Sequence, residues 1–247
     1  MNKNEYRRIE VLNIWNSLIK KLINHLGFEV KYYKKHMDCS IFEKTGYNQL
    51  FVDNLIYIDD LKTVCLSPTV CHHIYDELTN SSISNMMIFS ENICGRKQDL
   101  SNDSNHSPVF FLQEFVILGT KDFVEEKLSE CSTIIVSIFE YLFDNTHVEF
   151  ASDSFFSNPN EEILKKIQLN SKDKQEIIVN DVSICSMNRL GNKYGIKCNI
   201  TQEDGKTSIY SSCIGIGQDR LLSAIFDSKV DIVLLRLKEL TARIDNE

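Results

Sequence analysis

The stretch that decides the fold runs from Thr207 to Phe226 and reads TSIYSSCIGIGQDRLLSAIF. An alternating run of β-forming residues enters the glycine-spaced segment Cys213-Ile214-Gly215-Ile216-Gly217. It passes without a linker into Gln218, Asp219, Arg220 and an apolar helical pattern. A strand that turns directly into a helix sets Arg220 at the mouth of a sheet. Just upstream, Gln202-Glu203-Asp204-Gly205 separates Tyr194–Thr201 from Lys206–Ile214, a hairpin signal that implies antiparallel pairing.

Working outward, Met86–Cys94 and Val109–Leu118 read as two strands joined by the polar loop KQDLSNDSNHS, a hairpin with an unusually long connection. Thr120 is placed to cap a helix whose apolar positions Phe123, Val124, Leu128, Ile134, Ile135, Ile138 and Leu142 repeat at helical spacing and cover one face of the sheet. Further strands are expected at His147–Ala151, Glu176–Val179 and Val182–Met187, with a helix over Asn160–Ile167. Earlier in the chain, Gln49–Ile58 and Thr63–Leu66 look extended, and a short helix follows Ser67-Pro68 near Cys71. The P-loop and the dinucleotide fingerprint are absent, so nucleotide binding here does not use a parallel doubly wound sheet. The expected fold class is α+β, an antiparallel sheet flanked by helices.

The chain of 247 residues, 43% hydrophobic and 25% charged, suits one compact domain or a large domain with a small appendage, and a single domain spanning 1–247 is expected. Its opening, about residues 4–26, is an amphipathic helix with Ile9, Leu12, Trp15, Ile19, Leu22 and Ile23 on one face and Gly27 as its stop. This is not a signal peptide, and no apolar run reaches membrane-spanning length, so no membrane association is expected. The formal charge of −8 argues against a broad grip on nucleic acid, which would need lysine and arginine against phosphate. Eight cysteines without a CxxC pair fit a reducing, cytoplasmic setting better than a disulfide framework.

Read in order, LSPTVCHHIY, NICGR, FFLQEFVILGT, ASDSFF, SICSMN with KYGI, and SSCIGIGQDR resemble the motif series of the amino acid:[carrier protein] ligases. These ligases, which lack a tRNA-binding domain, are homologues of the catalytic core of the class II, zinc-dependent atypical seryl-tRNA synthetases. The resemblance covers roughly Leu66 to Phe226. It implies a class II aminoacyl-tRNA synthetase-like fold, a homodimer, and three groups of site residues. Zn2+ would be held by Cys71, Glu114 and Cys213, with a coordination position left for the substrate amine. ATP with Mg2+ would meet Arg96 at the α-phosphate, Phe110 at adenine, Glu176 near the magnesium and Arg220 at the outer phosphates, Arg96 and Arg220 being the catalytic pair. Asp153, Ser186 and Asn188 would contact a small amino acid.

The implied activity is activation of that amino acid as an aminoacyl-adenylate and its transfer to the phosphopantetheine thiol of a carrier protein, with no tRNA partner. The chain also departs from the resemblance. Lys97 and Gln98 stand where motif 2 continues to a glutamate, and Phe111 and Gln113 replace expected arginines. Those lost charges fit a divergent substrate, or a weakened paralogue that binds or regulates without turnover; aminoacyl transfer to another acceptor is a further alternative. His72 and His73, beside Cys71, are expected to face solvent.

Overall fold

The computed structural model describes residues 3–97, 107–155 and 157–243. Helix α1 (Lys3–Leu26) leads through β1 (Glu29–Val30), β2 (His36–Asp38), α2 (Ser40–Thr45), α3 (Tyr47–Leu50) and β3 (Val64–Leu66) to α4 (Cys71–Glu77). Then come β4 (Ser82–Ile83), the long pair β5 (Met86–Gly95) and β6 (Val109–Gly119), α5 (Lys121–Leu142) and β7 (Thr146–Phe150). The chain continues as α6 (Glu161–Ser171), β8 (Lys174–Val179), β9 (Val182–Gly191), α7 (Lys193–Lys197), β10 (Thr201–Gln202), β11 (Tyr210–Gly217), α8 (Gln218–Asp227) and α9 (Val230–Arg243).

Seven strands form one sheet in the order β1-β5-β6-β11-β9-β8-β7, antiparallel throughout except for the β1–β5 edge pair. The expected α+β class therefore holds. β11, the strand read first, lies at the centre between β6 and β9, and α8 leaves it with Gly217 as the boundary residue. Because side chains alternate along a strand, each strand sends every second residue to each face.

One face carries the larger core. Trp15, Leu18 and Leu22 of α1, Val124, Ile135 and Phe139 of α5, and Leu221 and Leu237 of α8 and α9 bury against Phe115, Ile117, Ile214 and Ile216. Thr120 caps α5 as expected, its hydroxyl accepting from the Phe123 amide. On the other face a second cluster gathers Phe42, Tyr47, Cys71, Ile74, Tyr75, Val116, Tyr194 and Cys213. Because this cover is built of short helices and bends, part of that face opens as a cleft.

Five expectations from sequence need correction. The buried stripe of α1 runs through Val11, Trp15, Leu18, Ile19, Leu22 and Ile23, whereas Ile9 is exposed, because the helix packs on α9 as well as on the sheet. Gln49–Ile58 is not extended; Tyr47–Leu50 is helical and bends follow, since Tyr47 and Phe51 stack on each other and turn their rings inward. Tyr194 begins no strand: it lies in α7, where a Cβ at Gly195 would collide with the Ile209 carbonyl, so glycine permits the helix to press against the chain entering β11. The turn at Gln202–Gly205 does form, with Gly205 at φ 66°, but β11 pairs with β6 and β9 rather than within that hairpin. His72 and His73 are buried rather than solvent-facing, at 2% and 8% exposure, because α4 turns them under Tyr47 and Tyr33.

Candidate functional site

The cross-strand register builds the cleft floor. One row runs Glu114 on β6, Gly215 on β11, Ser186 on β9 and Glu176 on β8, each opposite the next. The adjacent row on the same face runs Cys213 on β11, Asn188 on β9 and Lys174 on β8. Residues two apart on a strand share a face, so S-x-N in β9 and E at 114 with C at 213 are brought together by pairing alone.

At one end of these rows Cys71, Glu114 and Cys213 converge, with one potential ligand atom from each lying within 4.8 Å of the others and all three residues buried. Cys71 arrives from the start of α4, and its backbone N–H donates to Glu114 Oε2 at 2.8 Å. Thr69 Oγ1 lies 3.1 Å from Cys71 Sγ, and Asn188 Nδ2 approaches Cys213 Sγ at 3.7 Å. The Cys213 thiol is pushed well up by its contact with the Cys71 thiol, then by burial and Glu114; burial also raises Glu114. Three groups that resist ionisation when crowded in a dry site become favourable together once a divalent cation neutralises them. Two sulfurs and one carboxylate match the donor set of a zinc site with a position left open.

The metal-facing half of the cleft also takes in Asp153, Ser186, Asn188, Tyr47 and Tyr194. Its back wall is aromatic and internally bonded: Tyr47 OH accepts from Asn54 Nδ2 at 3.0 Å, Tyr75 stacks on Tyr194 at 4.2 Å, and Tyr75 OH reaches Ser211 Oγ at 3.0 Å. His72 joins this wall. Its Nδ1 pairs with Thr69 Oγ1 at 2.7 Å, its Nε2 has no hydrogen-bond partner among the described residues, and burial followed by the Lys193 charge pushes its pKa down to about 3.

The other half is lined by Arg96, Phe110, Glu176 and Arg220, together with Ser183, Gly217 and Asp219. The Arg96 guanidinium lies 5.0 Å from the centroid of the Phe110 ring, and its Nε donates to the Pro68 carbonyl at 2.8 Å. Arg220 projects from the first turn of α8, where its Nη1 donates to the Ser183 carbonyl at 3.2 Å, and Asp219 accepts from the Phe111 amide at 2.9 Å. Arg96, Leu112, Lys174, Ser186 and Gly215 line both halves, so the cleft is continuous. All ten residues singled out from the sequence therefore line one cleft.

The departures sort themselves by side of the sheet. Phe110, Leu112 and Glu114 point into the cleft, so the intervening Phe111 and Gln113 do not line it. Gln113 is buried on the far face, accepting from Trp15 Nε1 at 2.8 Å and donating to Glu91 Oε2 at 2.9 Å. Gln98, and with it most of the long loop, lies outside the described residues. Sequence reading missed Lys174, whose Nζ sits 2.7 Å from Asp153 Oδ1 and 3.0 Å from Glu176 Oε1. Its signal was the K-x-E spacing, which puts Lys174 on the same strand face as Glu176.

No protein-family model matches the sequence, and comparison with curated proteins finds no match. Solved structures do match. M. kandleri SerRS, in its complex with A. aeolicus tRNASec, superposes with a TM-score of 0.76 over 94% of this chain at 13% identity. The fold is that of class II aminoacyl-tRNA synthetase catalytic cores. G. lamblia prolyl-tRNA synthetase in complex with prolyl-adenylate gives a TM-score of 0.69 over 91% of this chain at 13% identity. The D. hafniense pyrrolysyl tRNA synthetase PylSc gives 0.61 over 89% at 17% identity. The chain spans 55%, 47% and 68% of those three proteins respectively, about half of the first two. Among the described residues no helix is long and apolar enough to cross a membrane.

Proposed function

We propose that this protein is a zinc-dependent, AMP-forming ligase that activates a small α-amino acid with ATP and passes the acyl group to the phosphopantetheine thiol of a carrier protein. The observation that carries the reading is the meeting, in one continuous cleft of a synthetase-like fold, of a buried Cys-Glu-Cys cluster with two arginines and an aromatic ring. Zinc held by Cys71, Glu114 and Cys213 would supply an open coordination position that takes a free amine.

The protein's own residues then do the rest. Asn188 and Ser186 orient the bound amino acid, with Asp153 nearby. Phe110 provides a face for the base, Glu176 a carboxylate for magnesium, and Arg220 a guanidinium for the outer phosphates. Arg96, lining both halves, suits the α-phosphate. A carboxylate oxygen of the amino acid attacks that phosphorus, the bond to the bridging oxygen breaks, and pyrophosphate departs with the electron pair. The step needs positioning and charge neutralisation, not a covalent enzyme nucleophile. In the second step the thiol sulfur attacks the acyl carbon, AMP leaves, and the thiol proton passes to solvent.

The reading of a non-catalytic paralogue draws its support from Gln98, Phe111 and Gln113. Two of these three stand away from the cleft, which weakens it. The SerRS neighbour is seen with a tRNA, which makes tRNA the competing acceptor. The net charge of −8 favours a protein acceptor over tRNA.

The test is amino-acid-dependent exchange of labelled pyrophosphate into ATP across a panel of small amino acids, with zinc and magnesium. Exchange with one of them, followed by transfer to a phosphopantetheinylated carrier, is the expected result. Folded, zinc-loaded protein that exchanges with none would overturn adenylation. Transfer to tRNA alone, fading steeply with salt, would overturn the carrier assignment.

A further inference from the structure

Lys174 is the one residue of the cleft that combines a charge, deep burial and a place in both halves without belonging to any motif in the sequence. Its side chain is 10% exposed. It opens β8 opposite Asn188, which in turn lies opposite Cys213, so the register alone sets it one row from the cluster of thiols. Along its own strand it precedes Glu176 by two residues and faces the phosphate half with it. Asp153 is fixed in turn by Gln168, whose Nε2 donates to Asp153 Oδ2 at 3.0 Å and whose Oε1 accepts from the Asp153 amide at 2.6 Å. An ammonium has three N–H donors; Asp153 and Glu176 take two, and the third has no partner among the described residues.

We propose that Lys174 is the catalytic cation that meets the substrate carboxylate and the α-phosphate where the two halves of the cleft join. The proposal rests on the adenylation reading above. Adenylation forces two anions together: a carboxylate whose amine is anchored beside Cys71 and Cys213, and a phosphate gripped in the half lined by Arg220. Of the residues shared by the two halves, only Arg96 and Lys174 are cationic. Arg96 is tethered to the Pro68 carbonyl and stacked on Phe110, on the β6 side of the cleft. Lys174 approaches from β8, so the two cations bracket the point of attack.

No proton moves in this role. The new bond forms between carboxylate oxygen and phosphorus, the bond to the bridging oxygen breaks, and the ammonium stays charged while it offsets the two negative groups. Asp153 then acts chiefly as the counter-ion that orients Lys174, rather than as a direct contact of the amine.

A purely structural ion pair would hold the same three residues together, so the experiment separates the charge from the pair. Exchange kinetics, with KM for ATP and for the amino acid taken separately, and thermal midpoints are measured for wild type, Lys174→Met, Asp153→Asn, and the double variant, in which neither ion is left unpaired by the other. The expected result is a fall in kcat on the order of 10²–10³-fold from Asp153→Asn to the double variant, and the same from wild type to Lys174→Met. A folded variant of either pair that keeps the kcat of its reference would reduce Lys174 to a structural counter-ion and overturn the proposal. Absence of exchange in wild type is a different failure, that of the adenylation reading itself.

Discussion

Trp15 of the first helix donates its indole N–H to the side-chain oxygen of Gln113 at 2.8 Å, joining positions 98 residues apart. The bond ties α1 to the middle of β6 from the side opposite the cleft, and both residues are almost wholly buried. It reassigns Gln113 from a departure that fits a weakened paralogue to a residue that anchors a helix.

Gln113→Leu should therefore cost stability and not catalysis. An indole N–H left buried without an acceptor costs about 1–3 kcal/mol. Denaturant unfolding should show a loss of that size, while KM for ATP in the exchange assay should stay within about twofold of wild type. A several-fold rise in KM at unchanged stability would put Gln113 back among the residues that govern the nucleotide.

The sulfur–carboxylate cluster makes a prediction that needs no turnover. Elemental analysis of purified protein should give about one zinc per chain, and Cys71→Ala, Glu114→Ala and Cys213→Ala should each lower it sharply, because three ligands leave no redundancy. Phe110→Ala should keep its zinc. Full zinc occupancy in all three ligand variants would remove the cluster from the mechanism.

What the sequence disclosed and what it withheld follow from one distinction. β5, β6, β11 and the helices behind them announce themselves because burial of one face imposes a period, and Thr120 and Gly217 punctuate it. The ordered motifs named ten cleft residues because each stands in a short stretch with a recognisable local pattern. Gln49–Ile58 and the segment opening at Tyr194 read as extended because their aromatic and β-branched residues carry β-propensity, while tertiary stacking of Phe51 and Tyr194 selects bend and helix. His72 and His73 looked exposed because polarity is all a linear reading sees; the Tyr33 and Tyr47 rings that bury them come from elsewhere in the chain. Gln113 and Lys174 show the same limit from opposite sides. Which face of a strand a polar residue occupies depends on its neighbours two positions away, so Phe111 and Gln113 fall outside the cleft as surely as Glu114 falls inside it.

Arg220 offers a split between substrates. It stands at the far end of the phosphate half and does not line the metal half, so its loss should be felt by ATP first. A hydrogen bond to a charged group is worth about 1.5–3 kcal/mol, or roughly 10–150-fold in affinity. Arg220→Ala should raise KM for ATP by that order and leave KM for the amino acid within a few-fold in the exchange assay. An equal rise in both would mean that the arginine supports the fold of the cleft and does not bind phosphate.

The buried thiols set an alkaline limit to stability. Cys131 on α5 is fully enclosed in the larger core, and burial, followed by the neighbouring Glu130 charge, pushes its pKa up to about 12 from the ordinary value of 9.0. A native pKa above the unfolded one means that the folded state keeps a proton the unfolded state has released. The contribution is therefore fully present below pH 9 and is lost as pH rises from about 9 towards about 12. The slope from this one group is up to about 1.4 kcal/mol per pH unit. Cys65, Cys94 and Cys185 are raised by burial as well and steepen the decline. Unfolding free energies measured by denaturant between pH 8 and pH 10.5 should fall with pH, and Cys131→Ala should be less stable at pH 8 yet show a shallower fall. A variant whose slope equals that of wild type would mean that the Cys131 thiol ionises within the native core, and that water reaches the layer between α5 and the sheet.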